Sequence, residues 1–426
     1  MPNSTPGLMH HKTVLDNGIR IVTEKVPSRT VSVGIWVDVG SRDEHSRDNG
    51  CAHFAEHMFF KGTPRRSAQQ IARELDILGG MSNAFTSQEN TCFYATVLDD
   101  RIGAVTDLLV DLFLDSSFAE DEIVREREVI LQEISMVDDT PDDQVHEIFS
   151  GLLWGDHPLG QTVLGQREVV AGMDRNHILE YVESHYGPEK ILIAASGNLD
   201  HDSFASLWQQ KFSRTGRRKN RPERIAPSRQ EHRRQVITKP LEQVHMVLGT
   251  YGLPIAAEQR YILYLLNVIL GGNMSSRLFQ EIREKRGLAY SVYSYLASFS
   301  DSGNLGIYLG VDARTINQAL ALTGAELLKL ADDAVSPDEL KNAKDYAKAG
   351  IFLAAENMEA RMTRLARNEL YFNRYLPFEE IAQGIDRVRA EEIQELAGQH
   401  FSRPLTAAVI GPVGADDLDW DAISVE

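Results

Sequence analysis

A pattern of residues in the middle of this 426-residue chain recurs close to its C-terminus. Residues 178–197 have the pattern of a helix that ends at a His-aromatic pair, followed by an apolar strand that ends at glycine. Residues 393–411 repeat this pattern, and the two histidines, His185 and His400, stand 215 positions apart. A repeat of this length indicates that both halves contain the same order of elements. The sequence therefore predicts two homologous domains.

The segment between the two halves is strongly basic. From 213 to 234 it contains nine Lys or Arg against two Glu, together with glycine and proline and without apolar periodicity. This composition is typical of a solvated connection between domains. We therefore predict an N-terminal domain over 1–212, an interdomain linker over 213–234 and a C-terminal domain over 235–426.

Patterns of strands and helices alternate within the first half. The β-branched alternation of 31–39 predicts a strand, and 81–98 has the pattern of a β-hairpin. A helix is predicted over 67–78, where Ser67 and Gln70 form a capping box. The predicted fold class is α/β in the mixed, α+β sense, with helices packed on a sheet in each of two similar domains.

The composition excludes several classes of protein. A net charge of -18 argues against a nucleic-acid-binding protein, because phosphate neutralisation needs Lys and Arg. No apolar run is long enough to span a membrane, and the N-terminal residues lack the patterns of a signal or transit peptide, which favours the cytoplasm. Cys51 and Cys92 are too few for a disulfide framework, and we interpret both as free, buried thiols.

A His-x-x-Glu-His motif at His53, Glu56 and His57 is the main indication of chemistry. A spacing of four residues places both imidazoles on one face of a helix, where they could be adjacent ligands of a tetrahedral Zn²⁺. Glu56 lies on the same side and could accept a proton from metal-activated water. Because His and Glu at these spacings also occur on solvated helices, the motif alone leaves a structural interpretation open.

A second helical segment, 121–137, could supply the third ligand. Its apolar stripe also carries Glu126 and Glu133, and a buried carboxylate needs a countercharge such as a metal ion. Glu126, two turns before Glu133, could orient a histidine ligand. The alternative is that both carboxylates pair with Arg125 or Arg127.

These motifs resemble those of the pitrilysin and insulysin class of inverzincin metallopeptidases, and most closely its processing-peptidase branch, which includes the β subunit of the mitochondrial processing peptidase and its bacterial relatives. In that class a glutamate ligand follows the histidine motif by about 76 residues, and His57 to Glu133 is 76 positions. The resemblance implies that His53, His57 and Glu133 bind one Zn²⁺ per chain, that Glu56 is the general base and that Glu126 is an accessory catalytic carboxylate.

The resemblance also implies residues that bind the substrate. Asn83 and Ala84 match an edge strand that contacts an extended peptide. Arg283 and Tyr290, in the second half, match residues that bind substrate near the zinc and take part in catalysis. The residues by themselves would place Arg283 on a solvated helix and Tyr290 in an ordinary strand.

The second half lacks the histidine motif at the position where the duplication would repeat it. Residues 265–272 contain neither His nor Glu, so the C-terminal domain is predicted to have no metal site. The resemblance further implies a largely antiparallel sheet in each domain, a chain that forms one half of a clamshell, and a homodimer. A heterodimer with a metal-free homologue stays open.

The predicted function is that of a zinc metalloendopeptidase, which hydrolyses unfolded or extended peptides. Two alternatives belong to other functional classes. One is a noncatalytic scaffold subunit, and the other is a clamshell that binds peptides without cutting them. Cleavage of a peptide library, compared with the Glu56→Gln variant, would distinguish the three.

Overall fold

The computed structural model describes residues 9–213 and 223–423, so positions 214–222 of the predicted linker lie outside the described residues. The chain divides into two compact units. Unit 1 combines Met1–Ser135, Gln161–Arg224 and Leu353–Tyr375, and unit 2 combines Met136–Gly160, Ile225–Phe352 and Leu376–Glu426.

Each unit contains one β-sheet. The strands of unit 1 are β1 (Met9–Val14), β2 (Arg20–Lys25), β3 (Thr30–Val37), β4 (Met81–Thr86), β5 (Thr91–Leu98) and β6 (Ile191–Gly197). Those of unit 2 are β7 (Arg234–Thr238), β8 (Val244–Tyr251), β9 (Ala289–Ser298), β10 (Gly303–Val311) and β11 (Thr406–Gly411).

The two sheets have the same topology apart from one extra strand. Unit 1 has the order β1-β2-β6-β3-β5-β4, and unit 2 has the order β7-β11-β8-β10-β9. The pairs β2–β6 and β7–β11 are parallel, and the other neighbours are antiparallel. The predicted hairpin over 81–98 is confirmed as β4 and β5, and the predicted mixed α/β class with two similar sheets is also confirmed.

The helices follow a similar order in both halves of the described chain, apart from the last helix of the first half. In the first half they are α1 (Cys51–Phe59), α2 (Ala68–Ile77), α3 (Ile102–Asp115), α4 (Glu120–Asp138), α5 (Pro141–Trp154), α6 (Arg167–Gly172), α7 (Arg175–His185) and α8 (His201–Lys211). In the second half they are α9 (Arg260–Leu270), α10 (Ile316–Asp332), α11 (Pro337–Ala354), α12 (Met358–Phe372), α13 (Phe378–Arg387) and α14 (Ala390–Phe401), with a π-helix over Phe279–Glu284.

The two units exchange one helix each. Helix α5 comes from the first half of the chain but packs on β8 and β11 of unit 2, whereas α12 comes from the second half and packs on β2, β3 and β6 of unit 1. Residues 1–212 therefore form most of unit 1, which also includes α12. Residues 235–426 form most of unit 2, which also includes α5. An amphipathic helix shows which of its own faces is apolar but not which sheet that face will cover.

Unit 1 has three layers, because both faces of its sheet are apolar. Side chains of a strand alternate between the two faces. Ile35 packs with α3 and α8 on one face, whereas Trp36 packs with Met362 and Leu365 of α12 on the other. The sheet is therefore buried on both sides, and α12 is one of its two covers.

A buried carboxylate also fixes α12 to unit 1. Glu24 of β2 is fully buried and accepts hydrogen bonds from Arg364 at 3.0 Å and from the Tyr375 hydroxyl at 2.8 Å. Arg361 completes the ion pair at 3.2 Å. A buried charge needs such partners, so these contacts specify where α12 docks as well as stabilising it.

Over the described ranges, none of the helices has the length and apolar character needed to cross a membrane.

Candidate metal centre

Helix α1 presents both histidines of the motif to one carboxylate of α4. The Nε2 atoms of His53 and His57 each lie 3.7 Å from Glu133 Oε2. One ligand atom from each residue lies within 4.8 Å of the other two, and in the described part of the chain this is the one group of three or more potential ligands that could hold a metal ion. The structure thus brings together the three residues that the sequence predicts as ligands.

The donor set of this group fits Zn²⁺. Two imidazoles and one carboxylate are ligands that zinc accepts, and three protein ligands leave a fourth position open. At 3.7 Å the Nε2 atoms are too far from the carboxylate oxygen for hydrogen bonds, and a metal ion coordinated by all three atoms would account for their convergence. Burial, with a contribution from His57, lowers the pKa of His53 to about 3. His53 is therefore neutral, which is the form that coordinates metal.

Glu126 lies behind His57 rather than within the ligand group. Its Oε2 is 2.9 Å from His57 Nδ1, and its side chain is almost fully buried. A carboxylate that accepts a hydrogen bond from Nδ1–H would leave Nε2, the atom nearer Glu133, able to bind a metal. Lys61, one turn after His57, pairs with the other carboxylate oxygen of Glu126.

The role of Lys61 is one that reasoning from the sequence missed. Its position four residues after His57 gave only a weak signal, because α1 ends at Phe59 and Lys61 lies beyond the helix. The sequence does not show that Glu126 lies beside Lys61, because α4 begins about 60 residues after α1 ends. The ammonium group supplies the countercharge that the buried Glu126 needs.

Glu56 lies on α1 between the two histidines but outside the ligand group. Its Oε2 accepts a hydrogen bond of 2.6 Å from the Thr86 hydroxyl at the end of β4. Burial raises the pKa of Glu56, and nearby Glu133 also raises it, whereas Thr86 and His57 oppose the shift. A carboxylate with a raised pKa is a better proton acceptor, as a general base requires.

A second glutamate, Glu44, caps the N-terminus of α1. Its carboxylate accepts hydrogen bonds from the backbone N–H of Ala52 at 2.7 Å, from that of Gly50 at 2.9 Å and from the Asn49 side chain at 3.1 Å. Burial raises the pKa of Glu44 to about 8. Sequence reasoning missed this cap because Glu44 lies eight residues before Ala52, outside the usual N-cap position.

The backbone between Glu44 and α1 requires a glycine. Gly50 has φ +99°, in the left-handed region that other residues avoid, and a Cβ there would meet Leu164 O and Gly165 Cα at 2.9 Å. Asn49 donates to Thr162 O at 3.0 Å and accepts from Gln166 N at 3.1 Å. The start of α1 is therefore fixed on two sides before its histidines begin.

Asn83 and Ala84 lie on β4, which is the edge strand of the unit 1 sheet. Over the part of the chain that the structure describes, β4 pairs with β5 alone. The Ala84 N–H donates to Asn83 Oδ1 at 2.9 Å. An added peptide strand would compete with the Asn83 side chain for this donor, and edge addition requires such open backbone groups.

Arg283 and Tyr290 lie together in unit 2. Arg283 belongs to the π-helix, and its guanidinium carbon lies 5.3 Å from the centre of the Tyr290 ring and 4.9 Å from that of Phe279. Tyr290, near the start of β9, is 77% exposed, so its hydroxyl is open to a ligand. Single turns of π-helix are frequent at functional sites. Their predicted substrate contacts stay predictions.

The repeated fold and the His-His-Glu group on α1 and α4 define the class of two-domain metallopeptidases with an inverted His-x-x-Glu-His motif. The chain belongs to peptidase family M16. The family model described as "Insulinase (Peptidase family M16)" matches residues 20–167, and the model described as "Peptidase M16 inactive domain" matches residues 172–346. The predicted family is therefore confirmed.

Relatives of similar length have names that refer to zinc. "Uncharacterized zinc protease YmxG" of Bacillus subtilis is 40% identical over 401 residues, covering 93% of this chain and 97% of the relative. An "Uncharacterized zinc protease" of Mycobacterium tuberculosis is 39% identical over 427 residues, covering 97% of each chain. Together with the His-His-Glu group, these names confirm zinc as the cofactor predicted for a chain of this family.

Solved structures share the fold at lower identity. "The crystal structure of a protease from Helicobacter pylori" matches with a TM-score of 0.89 at 21% identity, covering 95% of this chain and 99% of that one. A "peptidase M16 inactive domain from Pseudomonas fluorescens" matches with a TM-score of 0.87 at 18% identity, with the same coverage. At these identities the likeness establishes the fold alone.

Proposed function

We propose that this protein is a zinc-dependent endopeptidase that hydrolyses extended or unfolded peptides. The observation that carries the proposal is the convergence of His53, His57 and Glu133 on one point, with Glu56 on the same helix but outside the ligand group. A metal site without a general base beside it would suit a structural role, whereas this arrangement suits hydrolysis.

Each residue has a separate part in the proposed reaction. Zn²⁺ held by the three ligands would act as a Lewis acid on the peptide carbonyl and lower the pKa of the attacking water. Glu56 accepts the proton of that water and later delivers it to the departing amine. Glu126 holds the imidazole of His57 in the tautomer that leaves Nε2 free, as its 2.9 Å contact with Nδ1 supports.

Binding of the substrate is assigned to the edge of β4 and to unit 2. Asn83 and Ala84 would pair with the peptide backbone, because β4 has an open edge. Arg283 and Tyr290 are the proposed side-chain contacts, supported by the exposed Tyr290 ring beside the Arg283 guanidinium. A homodimer and a cytoplasmic location stay predictions.

The test is cleavage of a quenched peptide library by the zinc-loaded protein, with metal content measured on the same samples. We expect Glu56→Gln to retain zinc but to cut at least about 100-fold more slowly, since general base catalysis contributes that much or more. Glu128→Gln, on the exposed face of α4, is the matched control and should cut like the wild type.

The two alternatives predict different outcomes of the same experiment. A noncatalytic scaffold would cut no faster than Glu56→Gln. A clamshell that only binds peptides would release them intact, which mass spectrometry of the recovered peptides would reveal. Either outcome would contradict the peptidase proposal.

A further inference from the structure

The hydroxyl of Thr86 makes the shortest side-chain contact to Glu56 that the structure describes, at 2.6 Å from its Oε2. Ionised carboxylates only accept hydrogen bonds, so Thr86 is the donor. Bonds of this kind, from a hydroxyl to a charged group, are short and about twice as strong as neutral ones. Glu56 is thus held from outside its own helix.

The alternation of β4 directs Thr86 toward α1. Ala84, two residues earlier on the same face, packs with the apolar cluster that contains Phe54 and Met58 of α1. Phe85 lies on the opposite face, with its ring 5.5 Å from that of Trp36. Strand geometry therefore points the Thr86 hydroxyl, and not its neighbour's side chain, to the motif.

Backbone hydrogen bonds hold the turn that follows Thr86 in place. Ser87 O accepts from the N–H of Ser41 at 3.1 Å, and Gln88 O accepts from that of Arg42 at 2.8 Å. Gly40 approaches this turn so closely that a Cβ there would meet Ser87 O at 2.2 Å. The close approach leaves Ser87, the residue after Thr86, little freedom to shift.

Side chains hold the same turn from two further directions. Arg42 and Glu89 form a buried ion pair of 2.7 Å, with about 2% or less of each side chain exposed. Asn90 donates to the Tyr371 hydroxyl of α12 at 2.7 Å. The position of the Thr86 hydroxyl is therefore set by the sheet and its supports rather than by α1.

We propose that Thr86 is a positioning residue for the general base: its hydroxyl fixes the carboxylate of Glu56 relative to β4, the strand on whose edge the peptide is proposed to lie. The inference rests on the proposed peptidase function. It assigns β4 two tasks, since one strand would align the scissile peptide and also orient the group that activates water. The proton acceptor is then placed by the same element as the substrate.

The test compares Thr86→Val, which keeps the shape but removes the hydroxyl, with Thr86→Ser, which keeps the hydroxyl. We expect Thr86→Val to lower kcat on the order of tenfold or more while KM stays within about twofold, because a hydrogen bond to a charged group is lost at the reacting end alone. Thr86→Ser should restore most of kcat.

Thr96→Val is the matched control. Thr96 lies in the neighbouring strand β5, and its hydroxyl also forms a 2.6 Å hydrogen bond, in this case with the Ser32 hydroxyl. Its removal should leave kcat unchanged. If Thr96→Val lowered kcat as much as Thr86→Val, the effect would belong to the sheet in general and the inference would be overturned.

A second measurement does not depend on turnover. Crystal structures of the wild type and of Thr86→Val should differ in the Glu56 carboxylate, which should leave its 2.6 Å position once the donor is gone. Affinity for Zn²⁺, measured by competition with a chelator, should be the same in both proteins, because none of the three ligands changes. An unmoved Glu56, or a parallel loss of zinc affinity, would contradict the inference.

The two proposals fail in different ways. Wild-type kcat in Thr86→Val, with Glu56→Gln still slow, would overturn the role of Thr86 and leave the peptidase function standing. A wild type no faster than Glu56→Gln would overturn the peptidase function, and the crystal structures would then decide whether Thr86 fixes Glu56.

Discussion

Helices α1 and α9 hold equivalent places in the two units, and both bury an apolar face, but they differ in the polar residues beside it. Helix α1 follows β3 and precedes the edge strand β4, and α9 follows β8 and precedes the edge strand β9. Strands β3 and β8 hold matching places in the two sheets. Helix α9 buries six apolar side chains, from Leu263 to Leu270. Helix α1 also buries an apolar face, but it carries His53, Glu56 and His57 beside it.

The difference shows what a chemical site demands of its surroundings. An apolar helix such as α9 is stabilised chiefly by burial, at roughly 25 cal/mol for each Å² removed from water. The polar groups of α1 lie against individual side chains: Glu133 Oε2 is 3.7 Å from both imidazoles, Glu126 contacts His57, and Thr86 donates to Glu56. Four predictions test the contacts of α1 and of the segment that follows it.

The largest effect is expected from the loss of a ligand. His57→Ala should abolish stoichiometric zinc binding and lower activity to the level of Glu56→Gln, because two protein ligands do not retain zinc as three do. Metal analysis measures the zinc content, and the peptide assay measures the activity. His245→Ala in unit 2 is the control, since His245 is also half-buried and bonds the Tyr308 hydroxyl at 2.8 Å. Equal zinc content in His57→Ala and the wild type would contradict the assignment.

The cap of α1 should have the next largest effect. Glu44→Ala leaves two backbone N–H groups and the Asn49 side chain without their acceptor in a buried place, so we expect a loss of roughly 2–4 kcal/mol in the free energy of unfolding. Denaturant unfolding measures it. Asp200→Ala removes the exposed cap of α8 and should lose clearly less stability than Glu44→Ala. Equal losses would show that Glu44 is an ordinary cap.

A smaller effect is expected from the carboxylate behind His57. Glu126→Ala should weaken zinc binding by about 10- to 100-fold, as the loss of groups that orient a histidine ligand does elsewhere. Titration against a chelator gives the affinity. Glu122→Ala is the control on the same helix, because Glu122 pairs with Arg125 and does not contact the motif. Unchanged affinity in Glu126→Ala would remove Glu126 from the site.

The smallest effect on stability is expected from Asp107 of α3, which binds Arg65 and Arg66 of the segment that follows α1. Partial burial raises the pKa of Asp107, but hydrogen bonds from Arg65, Lys211 and Arg66 outweigh it and hold this pKa well below the usual value. A lowered folded pKa contributes stability above the unfolded value, near 3.9, and this contribution is lost as the pH falls below it.

Asp107→Asn should therefore reduce the free energy of unfolding by about 1 kcal/mol at pH 7, and the difference from the wild type should shrink as the pH falls below about 4. Unfolding curves at several pH values measure this. Asp312→Asn in unit 2 removes a fully exposed pair with Arg314 and should cause less change. A constant difference at all pH values would exclude the charge of Asp107 as the cause.

The sequence predicted the parts of the site that depend on local spacing. A separation of four residues fixed His53 and His57 on one helix face, and the apolar stripe of α4 indicated that Glu133 and Glu126 face inward. The pattern of 81–98 predicted the hairpin that carries Asn83 and Ala84.

Contacts between segments that are distant in the chain could not be predicted from the sequence. Glu44 bonds to a helix start, Lys61 pairs with a carboxylate on another helix, and Thr86 reaches a helix from a strand. None of these side chains departs from its local pattern, so their roles appear only once the elements are packed. The exchange of α5 and α12 was missed for the same reason, because contiguous domains were assumed from the repeat.

That exchange has a consequence for the order of synthesis. All six strands of the unit 1 sheet exist once residue 197 has been made, but α12 ends at Phe372. At about 5–20 residues per second, the face that contains Val22 and Trp36 stays bare for roughly 9–35 s on the ribosome. We expect a stalled nascent chain of this length to bind chaperones, and to release them when the α12 segment is supplied. The two sheets are alike, yet the sheet of unit 1 cannot be covered on both faces until α12, in the second half of the chain, has been translated.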